Sequence, residues 1–355
     1  MPEKHFVPVD KLEKLVGRIF EKNGLTPEDA AILAGSLVDA NIRGMHSHGV
    51  LRVENYIKRI QQGGTDPHAE IRIVRETPFS ATIDGGNGLG SVVSTHAMRI
   101  CRAKAEEVGI ACVAVRNSNH YGTAAYYCEQ LAGDDMIAFS CSNVEPLMAP
   151  PGATRVAIGN NPFCMVAPAG KHPFISSDMA TSQVAWGKVL NYRLNEEKLP
   201  GLWAIDENGN ATDDPMAARF LMPMGMHKGY GVAVLLEILC SLLSGGKFGD
   251  DINSMYGNLD KPNELSHFFM AMKISAFRDL EEYRADMDKF IEYLQSIPTK
   301  NGGHIVVPGE LEAASKERAL RDGIELTDGL LRELLEMDRG PLAADADLLA
   351  LLPEN

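Results

Sequence analysis

The spacing of the apolar residues changes near residue 70, and this change constrains the fold more than any other feature of the chain. Up to about residue 62 the apolar residues recur at intervals of three and four, and Gly24, Gly44 and Gly63 follow the repeats, which is typical of amphipathic helices. From Ile71 onward short apolar runs alternate with helical segments, which is typical of strands connected by helices. The sequence therefore predicts an α/β fold: a three-layer mixed β-sheet with helices on both faces, plus an N-terminal helical cap.

The length of 355 residues allows roughly two structural units. We expect residues 1–75 to form the helical cap, packed with C-terminal helices in residues 311–355, and residues 76–310 to form the mixed-sheet core. Two details bear on the site: a third helix over about residues 49–62 and a strand over residues 304–307. A cleft between cap and sheet is the expected binding site.

Charge and composition exclude several classes of function. The chain has 34 basic and 48 acidic residues and a net charge of −14, which argues against nucleic acid or an anionic membrane as a partner, because both need a basic surface. The most apolar run, residues 232–243, is too short to span a bilayer and contains Glu237. The start of the chain carries no apolar signal core, so we expect a soluble, cytoplasmic protein.

The six cysteines predict neither a disulfide framework nor a zinc site. No two of them form a C-x-x-C pair and most stand in apolar context, which is typical of reduced thiols in a core. They are Cys101, Cys112, Cys128, Cys141, Cys164 and Cys240.

A glycine-rich stretch, GGNGLG at residues 85–90, follows a predicted strand and precedes a predicted helix. That is the context of a dinucleotide-binding fingerprint. The spacing is wrong, because a G-x-G-x-x-G word that begins at Gly86 requires glycine at position 91, where Ser91 stands. We therefore favour a tight strand-to-helix turn over a Rossmann fold.

The word MHSHGVLR places His48 and Arg52 four residues apart at the predicted start of a helix, so we expect their side chains to share a face. An imidazole moves protons near neutral pH, and a guanidinium binds a carboxylate through two parallel hydrogen bonds. The pair suits a substrate in which a carboxylate stands next to a hydroxyl or keto carbon. The alternatives are that these residues complete a helix end, or that His46 and His48 bind a metal, for which no third ligand stands nearby.

Three further sequence motifs stand at the ends of predicted strands or helices. His120 lies in RNSNHYG at the end of a buried strand, where α/β proteins place ligands, but a hydrogen-bonded structural histidine is equally open. Asp178 in SSDMATS either caps a helix or takes ribose hydroxyls. Lys228 in GMHKGYG precedes a buried helix and has the chemistry of a phosphate cradle without the Walker spacing, so a plain loop also stays open.

Together these words resemble the malate/L-lactate dehydrogenase family, which is unrelated to the Rossmann-type lactate and malate dehydrogenases. The matching words are RGMHSHGVLR, NSNHYG, GNNP, DMATSQVAWGK, HKGYG and PGE. They occur in the family's order over about residues 40–310, and the flanking helices extend the resemblance to nearly the whole chain. The stretches DMATSQVAWGKVL and NSMYGNL look most like the ureidoglycolate dehydrogenase branch.

The resemblance implies a homodimer with a non-Rossmann sheet that binds NAD or NADP, with NAD favoured. It implies reversible hydride transfer between the nicotinamide and the hydroxyl-bearing carbon of a small 2-hydroxy acid, which gives the 2-oxo acid. Ser47, His48 and Arg52 match the family's active-site word, and His120 matches the proton acceptor. We favour His120 as the acid and base, and His48, held by Ser47, as the group that orients substrate or nicotinamide.

The remaining site residues also follow from the resemblance. Arg52, Asn160 and Tyr121 are expected to contact the substrate, a small carboxylate. Asn160 stands where many relatives have threonine, which leaves the side chain of the substrate open. No metal is expected. The expected cofactor contacts are Val144, Asp178, Met179, Ala180, His227, Lys228, Pro308, Gly309 and Glu310.

Two other functions stay open. A cyclic imino-acid reductase is the alternative within the family. The resemblance implies an acidic residue at position 188 in those enzymes, whereas this chain has Lys188. A non-catalytic metabolite-binding protein is the other alternative. The joint presence of His48, His120 and Arg52 argues against it.

Overall fold

The computed structural model of the chain describes residues 4–338, 348 and 351. Within that part no helix is long and apolar enough to cross a membrane. Two 3-10 helices, His46–His48 and Val50–Arg52, precede α3, and a π-helical turn, Ile238–Leu242, follows α7. The helices are α1 (Val9–Lys22), α2 (Pro27–Ile42), α3 (Val53–Gln62), α4 (Gly90–Val108), α5 (Ala124–Ala132), α6 (Trp186–Leu194), α7 (His227–Glu237), α8 (Leu280–Gln295), α9 (Glu310–Asp322) and α10 (Asp328–Met337). The strands are β1 (Lys4–Val7), β2 (Arg72–Glu76), β3 (Ser80–Asp84), β4 (Ile110–Ser118), β5 (Met136–Ser142), β6 (Phe163–Ala167), β7 (Ile175–Met179), β8 (Ala204–Ile205), β9 (Ala211–Thr212), β10 (Phe220–Leu221), β11 (Leu265–Lys273) and β12 (Ile324–Thr327).

A seven-stranded mixed sheet forms the centre of the molecule, in the order β2-β3-β4-β11-β5-β6-β7. β3 and β4 pair in parallel, and the other neighbouring strands pair antiparallel. Helices α4 and α5 pack on one face around Val93, Cys128 and Phe269. Helix α7 and its π-helical turn pack on the other face through Leu236 and Cys240. The predicted α/β architecture, a mixed sheet with helices on both faces, is confirmed.

The N-terminal helices share one apolar core with the C-terminal helix. Leu15 of α1 and Leu33 of α2 are buried together with Leu334 of α10, and β1 pairs antiparallel with β12. Each helix contributes one apolar stripe, so burial of these stripes against one another stabilises the unit. The rest of the predicted C-terminal helical region, residues 339–347, 349–350 and 352–355, lies outside the described residues.

The central sheet crosses the boundary that the sequence predicts at residue 75. Strand β2 begins at Arg72 and pairs with β3, with Ile73 opposite Ile83. The last residues assigned to the cap therefore belong to the sheet, because their backbone groups pair with a strand of the core. The division into a cap over residues 1–75 and a core over residues 76–310 is otherwise still a prediction.

Two predicted elements differ from the structure. The predicted helix over about residues 49–62 is an α-helix only from Val53, because Gly49 adopts an extended backbone (φ −89°, ψ −151°) that separates the two 3-10 helices. The predicted strand over residues 304–307 is wrong. The Val307 N–H donates to the Glu310 carboxylate at 3.1 Å and not to a neighbouring strand.

Candidate active site

Two histidines and a tyrosine meet where the end of β4 reaches the cap. The rings of His48 and His120 are stacked, with centroids 5.7 Å apart and planes 25° apart. The Nδ1 atom of His120 lies 2.6 Å from the hydroxyl of Tyr56, a buried residue of α3. The two histidines, which are far apart in sequence, are therefore neighbours in the fold.

Ser47, His48 and Arg52 lie on the two 3-10 helices that precede α3. The Ser47 hydroxyl is 3.0 Å from Nδ1 of His48, and Nε of Arg52 donates to the Ser47 carbonyl at 2.7 Å. The prediction that His48 and Arg52 share one face of a continuous helix is wrong, because Gly49 interrupts the helix. The two side chains are brought together by the bond that Arg52 makes to the Ser47 backbone.

The side chain of Asn41 fixes this loop. Its Oδ1 accepts the Val50 N–H at 2.7 Å, and its Nδ2 lies 3.0 Å from Nδ1 of His46. A Cβ at Gly49 would lie 1.9 Å from Asn41 Oδ1, so a larger residue would displace the support of the loop. His46 is thus engaged with Asn41, and the described part of the chain contains no cluster of three metal-ligating side chains.

Burial and positive charge keep both histidines neutral. Removal from water, together with the charge of Arg52, lowers the pKa of His48 to about 4. Burial, then His48 and Arg52, lower the pKa of His120 well below its ordinary range. Burial raises the pKa of Tyr56, so its phenol is un-ionised. At neutral pH the site therefore holds two neutral imidazoles, each able to accept a proton.

The glycine-rich stretch at residues 85–90 is a turn from β3 into α4, and it supports the loop that carries His120. A Cβ on Gly90 would lie 2.2 Å from the carbonyl oxygen of Asn119 and 2.4 Å from that of His120. The Asn119 amide donates to carbonyls of the turn, and its oxygen accepts from Arg59, which is 2% exposed, at 3.1 Å. These glycines permit the close approach of a helix to the His120 loop.

A fully buried histidine, His267 of β11, was missed by the sequence analysis. Its Nε2 lies 2.9 Å from the hydroxyl of Ser118 and its Nδ1 lies 2.9 Å from that of Ser142, the last residues of β4 and β5. Burial lowers the pKa of His267 to about 3. The neutral ring therefore ties together the ends of two strands, one of which leads to His120.

Tyr121 does not face a cleft. It is 2% exposed, and its ring is stacked between His267, at 4.5 Å between centroids, and Tyr127, at 5.0 Å. The Tyr121 side chain is therefore part of the core under the His120 loop, and its contact with the substrate stays a prediction.

Most of the predicted site residues lie in loops at the same end of neighbouring strands. The pairings Leu265–Ser118, His267–Ser142, Cys141–Phe163 and Phe163–Met179 align the end of β4, the end of β5, the start of β6 and the end of β7. The loops at these four positions therefore lie next to one another at one end of the strands. They carry His120, Val144, Asn160 and Ala180.

The sequence motifs that are predicted to contact the cofactor lie along β7, the edge strand of the sheet. At one end the Pro308 carbonyl accepts the Ser176 N–H at 3.1 Å, and a Cβ on Gly309 would lie 3.0 Å from Ser176. At the other end the Thr181 carbonyl accepts the Met224 N–H at 2.8 Å, so the start of α7 adjoins the end of the strand. The words PGE, DMA and HKGYG, distant in sequence, form one continuous surface.

His227 and Lys228 are exposed in the first turn of α7. The preceding residue, Met226, has a φ of 58°, which is uncommon for a residue with a side chain. A helix N-terminus presents N–H groups and a partial positive charge. The start of α7 therefore combines two features that favour an anion: the helix end and the ammonium group of Lys228.

The Asp178 carboxylate points towards α5. Its Oδ2 accepts the Ala125 N–H at 2.9 Å, and burial raises the pKa of Asp178 to about 6. Asp178, a residue of β7, thus accepts an N–H from the first turn of α5, the helix that follows the His120 loop, and does not cap the helix that comes next in the sequence. Its neighbour Met179 is 41% exposed, as expected where successive strand residues point to opposite faces.

The remaining predicted contacts are held by local hydrogen bonds. The Asn160 carbonyl accepts the Thr181 N–H at 2.9 Å, and the Val144 N–H donates to Oδ1 of Asn161 at 3.1 Å. The Glu310 carboxylate is 2.6 Å from Nε2 of His304. Asn160 therefore adjoins the end of β7, whereas the Glu310 side chain is engaged in its own loop.

Two tyrosines of the site were missed by the sequence analysis. Tyr56 belongs to none of the motifs above, yet it stands four residues after Arg52, a spacing that indicates a shared surface. The hydroxyl of Tyr256 accepts a hydrogen bond from Nη1 of Arg52 across 204 positions of sequence, and no local pattern marks it.

Comparison with known proteins defines the class. The family model described as "Malate/L-lactate dehydrogenase" matches residues 7–335, so the chain belongs to the malate/L-lactate dehydrogenase family. It is similar to a malate dehydrogenase of Pyrococcus abyssi, with 38% identity that covers 94% of both chains. Identity to the NAD(+) ureidoglycolate dehydrogenase of Escherichia coli K12 is 32%, over 92% of this chain and 94% of that one. Although the motifs resemble the ureidoglycolate branch, the overall identity to that enzyme is thus lower than to the malate dehydrogenase.

Among solved structures, the sulfolactate dehydrogenase of Methanocaldococcus jannaschii superposes with a TM-score of 0.88 at 35% identity. The match covers 94% of this chain and 96% of that one. The predicted membership of the family is therefore confirmed by sequence and by fold.

Proposed function

We propose that this protein is a nicotinamide-dependent oxidoreductase that interconverts a small 2-hydroxy acid and its 2-oxo acid. The observation that carries the proposal is the grouping of a neutral His120, held by Tyr56, with His48 and Arg52 at one edge of the sheet. This grouping supplies a proton carrier beside a carboxylate-binding cation. Malate, sulfolactate and ureidoglycolate, which appear in the names of the relatives, are all 2-hydroxy acids, and the substrate of this chain belongs to that class.

The residues along β7 fit a nicotinamide dinucleotide. Ser176, beside Gly309, and Thr181, beside the start of α7, are five residues apart, which is about 16 Å of extended backbone. This span is comparable to the length of an extended dinucleotide. Lys228 at the start of α7 would hold the phosphates, and the backbone of residues 178–180 would hold a ribose. When bound, the nicotinamide supplies the hydride acceptor for oxidation and, in reduced form, the hydride donor for reduction. NAD is favoured over NADP.

In oxidation of the hydroxy acid, Arg52 holds the carboxylate and Nε2 of His120 takes the hydroxyl proton. In the tautomer that carries its hydrogen on Nδ1, His120 donates to the Tyr56 oxygen 2.6 Å away, which leaves the Nε2 lone pair free for this transfer. In reduction the same nitrogen returns the proton to the carbonyl oxygen. A carboxylate bound on Arg52 offsets part of the positive charge that lowers the pKa of His120, so the imidazolium forms more easily once substrate is bound.

His48 has the geometry of an orienting group. Its Nδ1 is taken by the Ser47 hydroxyl and its ring lies against His120. Its remaining nitrogen, Nε2, is available to a polar atom of the substrate or of the nicotinamide amide. His48 therefore fixes the relative position of the two reactants, and His120 carries the proton.

Turnover of a panel of 2-oxo acids tests this function. Purified protein with NADH or NADPH is expected to consume the reduced cofactor, measured by its absorbance, with at least one of oxaloacetate, pyruvate, 3-sulfopyruvate and oxalurate. A matched panel of cyclic 2-imino acids tests the reductase alternative. Turnover of the imino acids alone would contradict the proposal.

Replacement of Lys228 by alanine is expected to raise the Kd for the reduced cofactor by about 5- to 100-fold, because one charge-assisted contact to phosphate is lost. Titration by cofactor fluorescence measures this change. Lys14→Ala is the matched control, since Lys14 is an exposed lysine of α1 paired with Asp10. Equal affinity of the Lys228 variant and the control would remove Lys228 from the cofactor site.

We also propose that the protein is a homodimer that forms through the outer face of α7 and its π-helical turn. Leu236 and Cys240 pack on the sheet, whereas Leu235 is 62% exposed, Leu242 55% and Leu243 59%. These exposed leucines form an apolar surface on a helix that is already packed on its other side, which is typical of a subunit interface. A second copy of the chain is its expected occupant.

Light scattering after gel filtration tests the dimer. The native protein is expected to have twice the chain mass of 38.6 kDa, and Leu242→Asp is expected to give monomers. Leu320→Asp on α9, where Leu320 is 60% exposed, is the control and is expected to leave the dimer intact. A monomeric native protein, or dimers in both variants, would contradict this interface.

A cytoplasmic location is part of the proposal. It is supported by the cysteines, all of which are free thiols, including Cys141 and Cys240 with sulfur atoms 3.4 Å apart. Such a close thiol pair is expected to persist in a reducing compartment.

A further inference from the structure

Tyr256 contacts the guanidinium of Arg52 in two ways. Its hydroxyl accepts a hydrogen bond from Nη1 of Arg52, and the Cζ atom of Arg52 lies 5.4 Å from the centre of the Tyr256 ring. The phenol and the guanidinium therefore form one polar unit next to the Ser47–His48 turn, to which Arg52 is bonded. Tyr256 is 53% exposed, so this unit is open to a solute.

The loop that carries Tyr256 is fixed from both sides. The Glu145 carboxylate accepts the Ser254 hydroxyl at 2.9 Å and the Met255 N–H at 3.1 Å. Met255 is 8% exposed and belongs to the apolar core of the cap. The position of Tyr256 is therefore set by its neighbours in the chain, and its exposed ring is held in place beside Arg52.

The hydrogen-bonding groups of Arg52 show where an anion would bind. Its Nε donates to the Ser47 carbonyl and its Nη1 to Tyr256, whereas Nη2 has no hydrogen-bond partner among residues 4–338. A carboxylate that approaches Nη2 and Nη1 would lie next to the Tyr256 hydroxyl. That oxygen already accepts a hydrogen bond from Arg52, so its own hydrogen is free to be donated to the carboxylate.

We propose that Tyr256 is a specificity-determining residue, which donates a hydrogen bond to the same substrate carboxylate that Arg52 binds. This inference rests on the proposed function of the site. The charge of the guanidinium and the two donor groups together favour an ionised carboxylate over its amide, which carries N–H donors, and over its ester, which carries no charge. Tyr256 contributes to binding and takes no part in hydride or proton transfer.

Tyr256→Phe tests this inference, because it keeps the ring against Arg52 and removes only the hydroxyl. We expect the KM of the 2-oxo acid to rise about tenfold, the loss of one charge-assisted hydrogen bond, with kcat changed less than about twofold. The Ki of oxamate, a 2-oxo-acid analogue that cannot be reduced, is expected to rise by the same factor. The Kd of the reduced cofactor is expected to stay constant.

Tyr293→Phe is the control, since Tyr293 is an exposed tyrosine of α8 at 64% exposure. It is expected to change none of these constants. An unchanged KM and oxamate Ki in Tyr256→Phe, or a fall in kcat at constant KM, would overturn the inference. Absence of turnover by the native protein with every 2-oxo acid would instead contradict the proposed function itself, so the two failures are distinguishable.

Discussion

Replacement of His120 by asparagine is expected to lower kcat by about 10²–10⁴, the usual contribution of a general acid or base. Asparagine keeps a polar side chain next to Tyr56 but cannot accept the hydroxyl proton. The Kd of the cofactor is expected to be nearly unchanged, because the cofactor words lie along β7 and α7. Steady-state turnover in both directions, with a fluorescence titration of the cofactor, measures both effects.

The pH dependence of kcat/KM gives this prediction a second readout. Oxidation of the hydroxy acid needs neutral His120, so its rate falls as pH drops through the pKa of the free enzyme, and reduction has the opposite dependence. Because the pKa of His120 is lowered well below its ordinary range, the step in the pH profile lies on the acid side of pH 6.5. The sequence alone predicts an ordinary imidazole, whose step would lie near neutrality. His120→Asn is expected to remove this step and His48→Asn to retain it. The reverse result would exchange the two roles.

Replacement of Arg52 by lysine is expected to raise the KM for carboxylate substrates by about 10- to 100-fold. Lysine keeps the positive charge but loses the planar fork that binds two carboxylate oxygens. It also loses the Nε bond to the Ser47 carbonyl, which holds the loop of His48 in place. Steady-state kinetics with the best 2-oxo acid measure the change.

Arg155→Lys is the matched control for Arg52. Arg155 is an exposed arginine whose side chain is 71% accessible and pairs with Asp250, so its replacement is expected to leave KM unchanged. If Arg52→Lys left kcat/KM untouched for every carboxylate substrate, Arg52 could not be the group that binds the carboxylate.

The layers of the fold could be predicted from the sequence because they depend on local periodicity. The helical stripe that includes Leu15 and the buried run of β4 each identify their own element and its buried face. The order of strands could not be predicted, since β11 inserts between β4 and β5 and joins residues about 150 positions apart, as the Ser118–His267 contact shows (149 positions). Such pairings depend on the packing of the whole sheet.

The candidate site shows the same limit. His48, Arg52 and His120 could be predicted because each lies in a recognisable word at an element end. Their grouping could not, because it depends on contacts that no spacing records: Tyr56 meets His120 across 64 positions and Glu145 meets Ser254 across 109. The expected shared helix face of His48 and Arg52 was wrong because a local rule was applied across Gly49, whose neighbour in space, Asn41, changes the backbone there.

Transfer of deuterium tests the central claim most directly. The native protein is incubated with a 2-oxo acid that it reduces and with reduced nicotinamide cofactor that carries deuterium at both positions of C4, and the product is examined by mass spectrometry and NMR. We predict a 2-hydroxy acid that contains one deuterium, bound at C2, and Arg52→Lys and His120→Asn are expected to form it more slowly without changing its position. A product without deuterium, or with deuterium anywhere other than C2, would contradict direct hydride transfer at this site.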